Sequence, residues 1–151
     1  MPTVINGLAE LKTRVGEHLG YSDFVEITQE KVNAFADATG DHQWIHTDPE
    51  RAKDGPFGTA IAHGYLTLSL LPVFLETLYE IKSLKMGLNY GANKLRFITP
   101  VPVDSRVRAT ATLVDTADIG IGTQSTLSFV VELEGAEKPA LIAEVVYVMA
   151  E

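Results

Sequence analysis

Two hydrophobic periods divide the chain. In residues 6–19, NGLAELKTRVGEHL, Leu8, Leu11, Val15 and Leu19 recur at helical spacing behind Asn6, a plausible N-cap. Residues 28–39, TQEKVNAFADAT, predict a second helix that Thr28 caps, that buries Val32, Phe35 and Ala36, and that Gly40 stops. Residues 64–80, GYLTLSLLPVFLETLYE, are apolar nearly all round, which predicts a helix surrounded by protein. Pro72 lacks a backbone N–H, so this helix should kink or lose one hydrogen bond there.

Further on, the period falls to two. DSRVRATATLVD sends Val107, Ala109, Ala111 and Leu113 to one face and Arg106, Arg108, Thr110 and Thr112 to the other. TQSTLSFVVELE and ALIAEVVYVM follow at similar length, separated by the turn-rich segments ADIGIG and GAEKP. An earlier strand is expected over residues 86–98, MGLNYGANKLRFI. Short connections between long strands imply an antiparallel meander. One buried helix against such a sheet makes the fold class α+β. With no internal repeat, low-complexity tract or linker, residues 1–151 are read as a single domain. The sheet leaves an edge strand free, and pairing that edge with a second copy is a common remedy.

Composition narrows the function classes. The 151 residues are enough for one real core. The net charge of −8 argues against a nucleic-acid or anionic-membrane surface, because either needs a basic field. The absence of cysteine removes disulfides, thiolate catalysis and cysteine-ligated zinc. The start shows no basic stretch leading into an apolar run, and the longest apolar stretch is too short and interrupted to span a bilayer, so a cytoplasmic protein is expected.

The candidate chemistry sits in GDHQWIHTDPERA, residues 40–52, which places Asp41 and His46 five positions apart directly after a glycine. Taken alone, such a pair could bind a metal, hold a turn or move a proton. An Asp after Gly at a helix end often accepts backbone N–H bonds. A metal site drawn from Asp41, His42, His46, Asp48 and His63 is disfavoured, because Gly40 and Pro49 argue against the helix on which His42 and His46 would share a face. No metal and no cofactor are expected.

FADATGDHQWIHTDPERA followed by GPFGTAIAHGYLTLSLL resembles the MaoC-like dehydratases, the (R)-specific enoyl-CoA hydratase family. The signature elements are Phe35, Thr39, Gly40, Asp41, His46 and Ala52, joined downstream by His63 and Gly64. NKLRFITPVPVDSRV is similar to another family stretch, with Asp104 where a glycine often sits. Gln43-Trp44 and NYGANK look most like the nodulation-protein-N-like branch. The resemblance implies a hot-dog fold, a long central helix wrapped by a curved antiparallel β-sheet, usually as a homodimer. It implies reversible addition of water to trans-2-enoyl thioesters of coenzyme A or acyl-carrier protein, with Asp41 and His46 handling the protons and the Gly64 N–H stabilising the enolate oxygen. Two features depart from the family pattern: the common Asn-Pro is Gln43-Trp44, and a serine that in some members bonds the catalytic aspartate is Pro72. Asn89 is a candidate substitute for that serine.

His63 is expected behind the site or in packing, and Tyr65 with Phe57 and Leu66 is expected to set pocket depth. Thioester phosphates call for cations at the pocket mouth, for which Lys94 and Arg96 are candidates, as are Lys85, Arg106, Arg108, Arg51 and Lys53; a solvated sheet face explains each equally well. A hot-dog thioesterase and a non-catalytic acyl-thioester binder remain open alternatives.

Overall fold

The computed structural model describes residues 1–151. Four long strands build the sheet: β5 (Met86–Phe97), β6 (Arg106–Ile119), β7 (Gly122–Leu133) and β8 (Leu141–Ala150). Before them come β1 (Thr3–Ile5), β2 (His18–Tyr21), β3 (Val25–Glu26) and β4 (Tyr79–Ile81). The helices are α1 (Leu8–Lys12), α2 (Gln29–Thr39), α3 (Trp44–Thr47), α4 (Pro49–Lys53), α5 (Gly64–Ser69) and α6 (Leu71–Leu78).

The strand order is β2-β6-β7-β8-β5, antiparallel throughout, with β3 also pairing β6. The meander expectation holds for β6, β7 and β8 only. β5 precedes β6 in the chain yet pairs β8 on the far side, so a crossover replaces the expected hairpin. ADIGIG is also more strand than turn: β6 runs on to Ile119 and meets Gly122 across a two-residue connection. A Cβ at position 122 would lie 2.1 Å from the Met149 carbonyl oxygen, so only glycine lets β7 begin so close to β8.

Alternation decides burial. Along β7 every second residue, including Thr123, Ser125, Leu127, Phe129 and Val131, is buried. On β6 the buried set begins with Val107, Ala109, Ala111 and Leu113. These faces join Leu71, Phe74 and Leu78 of α6 in one apolar cluster. Helices segregated against one face of an antiparallel sheet give the α+β class.

The helices depart from expectation in two places. The N-terminal segment is helical only over Leu8–Lys12, with Gly7 rather than Asn6 at the N-cap. Gly16 then takes a left-handed φ of 91° and donates its N–H to Leu113, turning the chain into β2. Leu19 is thus buried as a strand residue, and Val15 is left exposed. The central helix divides at Leu70, which ends α5 and caps α6. Pro72 cannot donate to the turn behind it, and the helical bonds resume with Phe74 N–H to Leu70. Tyr79 and Glu80, read as the end of that helix, instead belong to β4, which pairs parallel with β1. By contrast α2 matches its expected span: Thr28 accepts from the Lys31 N–H, and Gly40 closes the helix at φ 84°. Asp104 is the one non-glycine residue at positive φ, 72°, where the resembling family often has glycine. No helix is long and apolar enough to cross a membrane.

Candidate active site

His46 lies in α3, a single helical turn, rather than in an irregular loop. The turn is held from two sides. The Ile61 N–H donates to the Ile45 carbonyl at 3.0 Å, and the Ile61 carbonyl takes His46 Nδ1 at 2.7 Å. From α2, Gln29 Nε2 donates to the His46 carbonyl at 2.8 Å. A carbonyl only accepts, so Nδ1 carries the proton and Nε2 keeps the lone pair. His46 is 6% exposed. Its pKa lies below the usual 6.5, chiefly because burial disfavours the cation; the Ile61 bond opposes this, His63 adds to it, and Asp41 opposes it. A neutral base with a free Nε2 is the result.

Asp41 follows the left-handed Gly40 and is half-buried. Its side chain receives one long contact, from the Gln43 N–H at 3.4 Å, so Gln43 braces the carboxylate through its backbone rather than its amide. The Asp41 carbonyl is gripped by His63 Nε2 at 2.9 Å. His63, 2% exposed, stacks on the His46 ring at 3.9 Å with Phe35 near its ring at 4.9 Å. One ligand atom each from Asp41, His46 and His63 lie within 4.8 Å of one another. His42 is turned toward Asp37, and the histidine that joins His46 is His63. One ring nitrogen on each is already committed to a main-chain carbonyl.

Gly64 opens α5, and its N–H donates to no group of the chain. It borders a cleft of about 380 Å³ shared with His46, Tyr65, Thr67, Phe97, Val101 and Leu141. That volume falls in the range of small-molecule sites. A Cβ on Gly64 would sit 3.0 Å from the Phe97 ring, so glycine lets that ring close over the start of α5. Tyr65 is exposed at the rim, edge-on to Phe97 at 5.7 Å. Sequence reasoning missed Phe97 and Thr67. Phe97 looks like one more strand hydrophobe, while Thr67 stands three residues after Gly64, a helical spacing that could have flagged it.

Several candidates lie elsewhere. Asn89 lines a different cavity, of about 400 Å³, together with Pro72 and Tyr147, and makes no bond to Asp41. Pro72 has no side-chain donor or acceptor, so within this chain neither fills the orienting role. Lys94 and Arg96 are exposed on β5 and do not border the His46 cleft. Arg96 alternates with Phe97 and points to the opposite sheet face. Arg106 and Arg108 are paired with Glu134 and Glu132, and Lys53 with Glu50. Arg51 stacks on Trp44, 4.3 Å from its ring centre. His42 faces Asp37 at the surface, and Asp48, also exposed, caps α4 by accepting the Arg51 N–H.

Residues 10–134 match the model of the MaoC like domain. Over 91% of each chain, the sequence is 60% identical to 3-hydroxyacyl-thioester dehydratase Z of Mycobacterium tuberculosis. It is 43% identical to nodulation protein N of Rhizobium leguminosarum bv. viciae, across 90% of this chain and 86% of that protein. The solved (R)-hydratase from A. caviae involved in PHA biosynthesis superposes with a TM-score of 0.71 at 26% identity, over 89% of this chain and 95% of that one. The chain belongs to the MaoC-like domain family and has its hot-dog fold.

Proposed function

We propose that this protein is a 3-hydroxyacyl-thioester dehydratase, reversibly hydrating trans-2-enoyl thioesters carried on coenzyme A or an acyl-carrier protein, with (R) stereochemistry. The observation that carries the reading is the neutral His46: Nδ1–H held by Ile61, Nε2 free, Asp41 close by, and the unbonded Gly64 N–H on the same cleft. The name of the relative at 60% identity supports the same activity.

In the hydration direction, His46 Nε2 takes a proton from a water as its oxygen bonds to C3. The C2–C3 π pair shifts toward the thioester, whose oxygen becomes an enolate held by the Gly64 N–H. The imidazolium returns its proton to C2, the enolate collapses, and water has been added with the site restored. Asp41 orients the water and stabilises the transient imidazolium. A single amide donor of this kind is worth about 10²–10³ in rate, comparable with general acid–base catalysis at about 10²–10⁴. Phe97, Val101 and Leu141 give the acyl end an apolar wall.

The active unit is a homodimer in this reading. β5 is exposed along its length, including Met86, Leu88, Tyr90 and Phe97, and its outer edge has no strand partner. Apolar strand edges of this length are normally covered.

The test is loss of the conjugated-thioester absorbance of a short trans-2-enoyl-CoA. Hydration removes it without free thiol; thiol release would make the protein a thioesterase, and neither change would make it a binder. Asp41→Asn and His46→Ala are each expected to lower the rate at least about a hundredfold. Near wild-type turnover in either folded variant overturns the role given to it.

A further inference from the structure

Helical serines and threonines in this chain follow a rule that one residue breaks. Thr39, Thr47, Ser69 and Thr77 each turn the hydroxyl back onto a carbonyl three or four residues earlier. Thr67, in α5, does not bond the His63 carbonyl with its hydroxyl, although its backbone N–H does so at 3.3 Å. Thr67 is 2% exposed, and its Oγ1 is buried without a partner. One other buried side-chain polar atom shares that condition, His63 Nδ1. The two belong to residues one helical turn apart on the same stretch of chain.

Their chemistry is complementary. His63 Nε2 faces the Asp41 carbonyl and must carry the proton, so Nδ1 is an acceptor. Thr67 has a hydroxyl proton to give. Leaving both unbonded would carry the full desolvation penalty of each buried group. Threonine samples two χ1 wells in a helix, and a single water also fits the role of bridge.

We infer that Thr67 and His63 form a positioning pair for the Asp41–His46 site: the Thr67 hydroxyl donates to His63 Nδ1, directly after a χ1 rotation or through one water. This holds His63 in the tautomer whose Nε2–H grips the Asp41 carbonyl. His63 in turn stacks on His46, so the pair sets the spacing between acid and base from behind. It does the bracing that neither Pro72 nor Asn89 provides within this chain. The inference rests on the hydratase reading of Asp41 and His46, and its test therefore carries a readout independent of turnover.

Thr67→Val keeps shape and removes the proton donor; Thr67→Ser keeps the donor. With nitrogen-15-labelled histidine, the His63 Nδ1 resonance of the wild type should be that of a bonded acceptor. It should move toward a free imine-type nitrogen in Thr67→Val and return in Thr67→Ser. In the enoyl-thioester assay Thr67→Val should lose roughly tenfold in kcat, with KM within about twofold and serine restoring the rate. A wild-type His63 Nδ1 with the resonance of a free lone pair overturns the pair, even if Thr67→Val fails to fold. So does a Thr67→Val protein whose resonance or kcat is unchanged. An absence of hydratase activity with the expected resonance changes would instead strike the catalytic reading and leave the pair standing.

Discussion

The β6–β8 sheet and the helical layer from Gly40 to Ser69 solve opposite problems. In the sheet, the ladders satisfy the backbone, alternation sorts the side chains, and apolar atoms fill the interior. The helical layer buries His46, His63 and Thr67, and it holds both unpartnered buried side-chain atoms of the chain. One region lowers free energy by removing apolar surface from water; the other keeps polar atoms ready for a substrate, a water or each other. Substitutions should therefore separate cleanly, stability losses in the sheet and rate losses in the layer.

The most damaging test of that separation is Phe129→Ala. Phe129 is fully buried in β7, and removing its ring should cost about 3–5 kcal/mol by denaturant titration. The fraction still folded should turn over normally, whereas His46→Ala should do the reverse. A Phe129→Ala protein of wild-type stability would break the comparison.

β5 tests it differently, because this strand belongs to the sheet yet has no fully buried residue. Leu88→Lys with Tyr90→Lys should leave the fold intact and weaken self-association at least tenfold, about 1.4 kcal/mol, by sedimentation. Unchanged association would take β5 out of the dimer interface, and a wild type that sediments as a monomer would remove the homodimer from the reading.

The mildest effect is in pH. Burial lowers the His46 pKa, so the folded state binds fewer protons than the unfolded chain between the folded value and 6.5. Stability should fall as pH drops below 6.5 through that window. The acid limb of kcat/KM should likewise lie below 6.5, because the base works neutral. An acid limb at or above 6.5 contradicts a desolvated His46.

What could be read from the chain follows the range of each interaction. The α2 caps depend on residues a few positions apart, and Thr28 and Gly40 marked both ends. The β6 and β7 faces depend on alternation, which is local too. α1 failed because its periodic leucines fit either a helix or a helix followed by a strand; the left-handed Gly16 chose the second. At the candidate site, the motif pointed to Asp41, His46 and Gly64, and to Tyr65 as a neighbour; the fold brings Asp41 close to His46, and sets His46, Gly64 and Tyr65 on one cleft. Phe97 and Thr67 had no motif to mark them, and Lys94 and Arg96 were grouped by charge although the strand places them off the cleft.

Residue order was enough for the alternation that builds the sheet, the helix that ends at Gly40, and the presence of an acid and a base just beyond it. The tertiary structure alone decided which nitrogen of His46 is free, that His63 rather than His42 stands beside it, and that β5 crosses to pair β8. The physical reason is that periodicity and caps act over a few residues, whereas a tautomer is fixed by the carbonyl it meets, here Ile61, fifteen residues away.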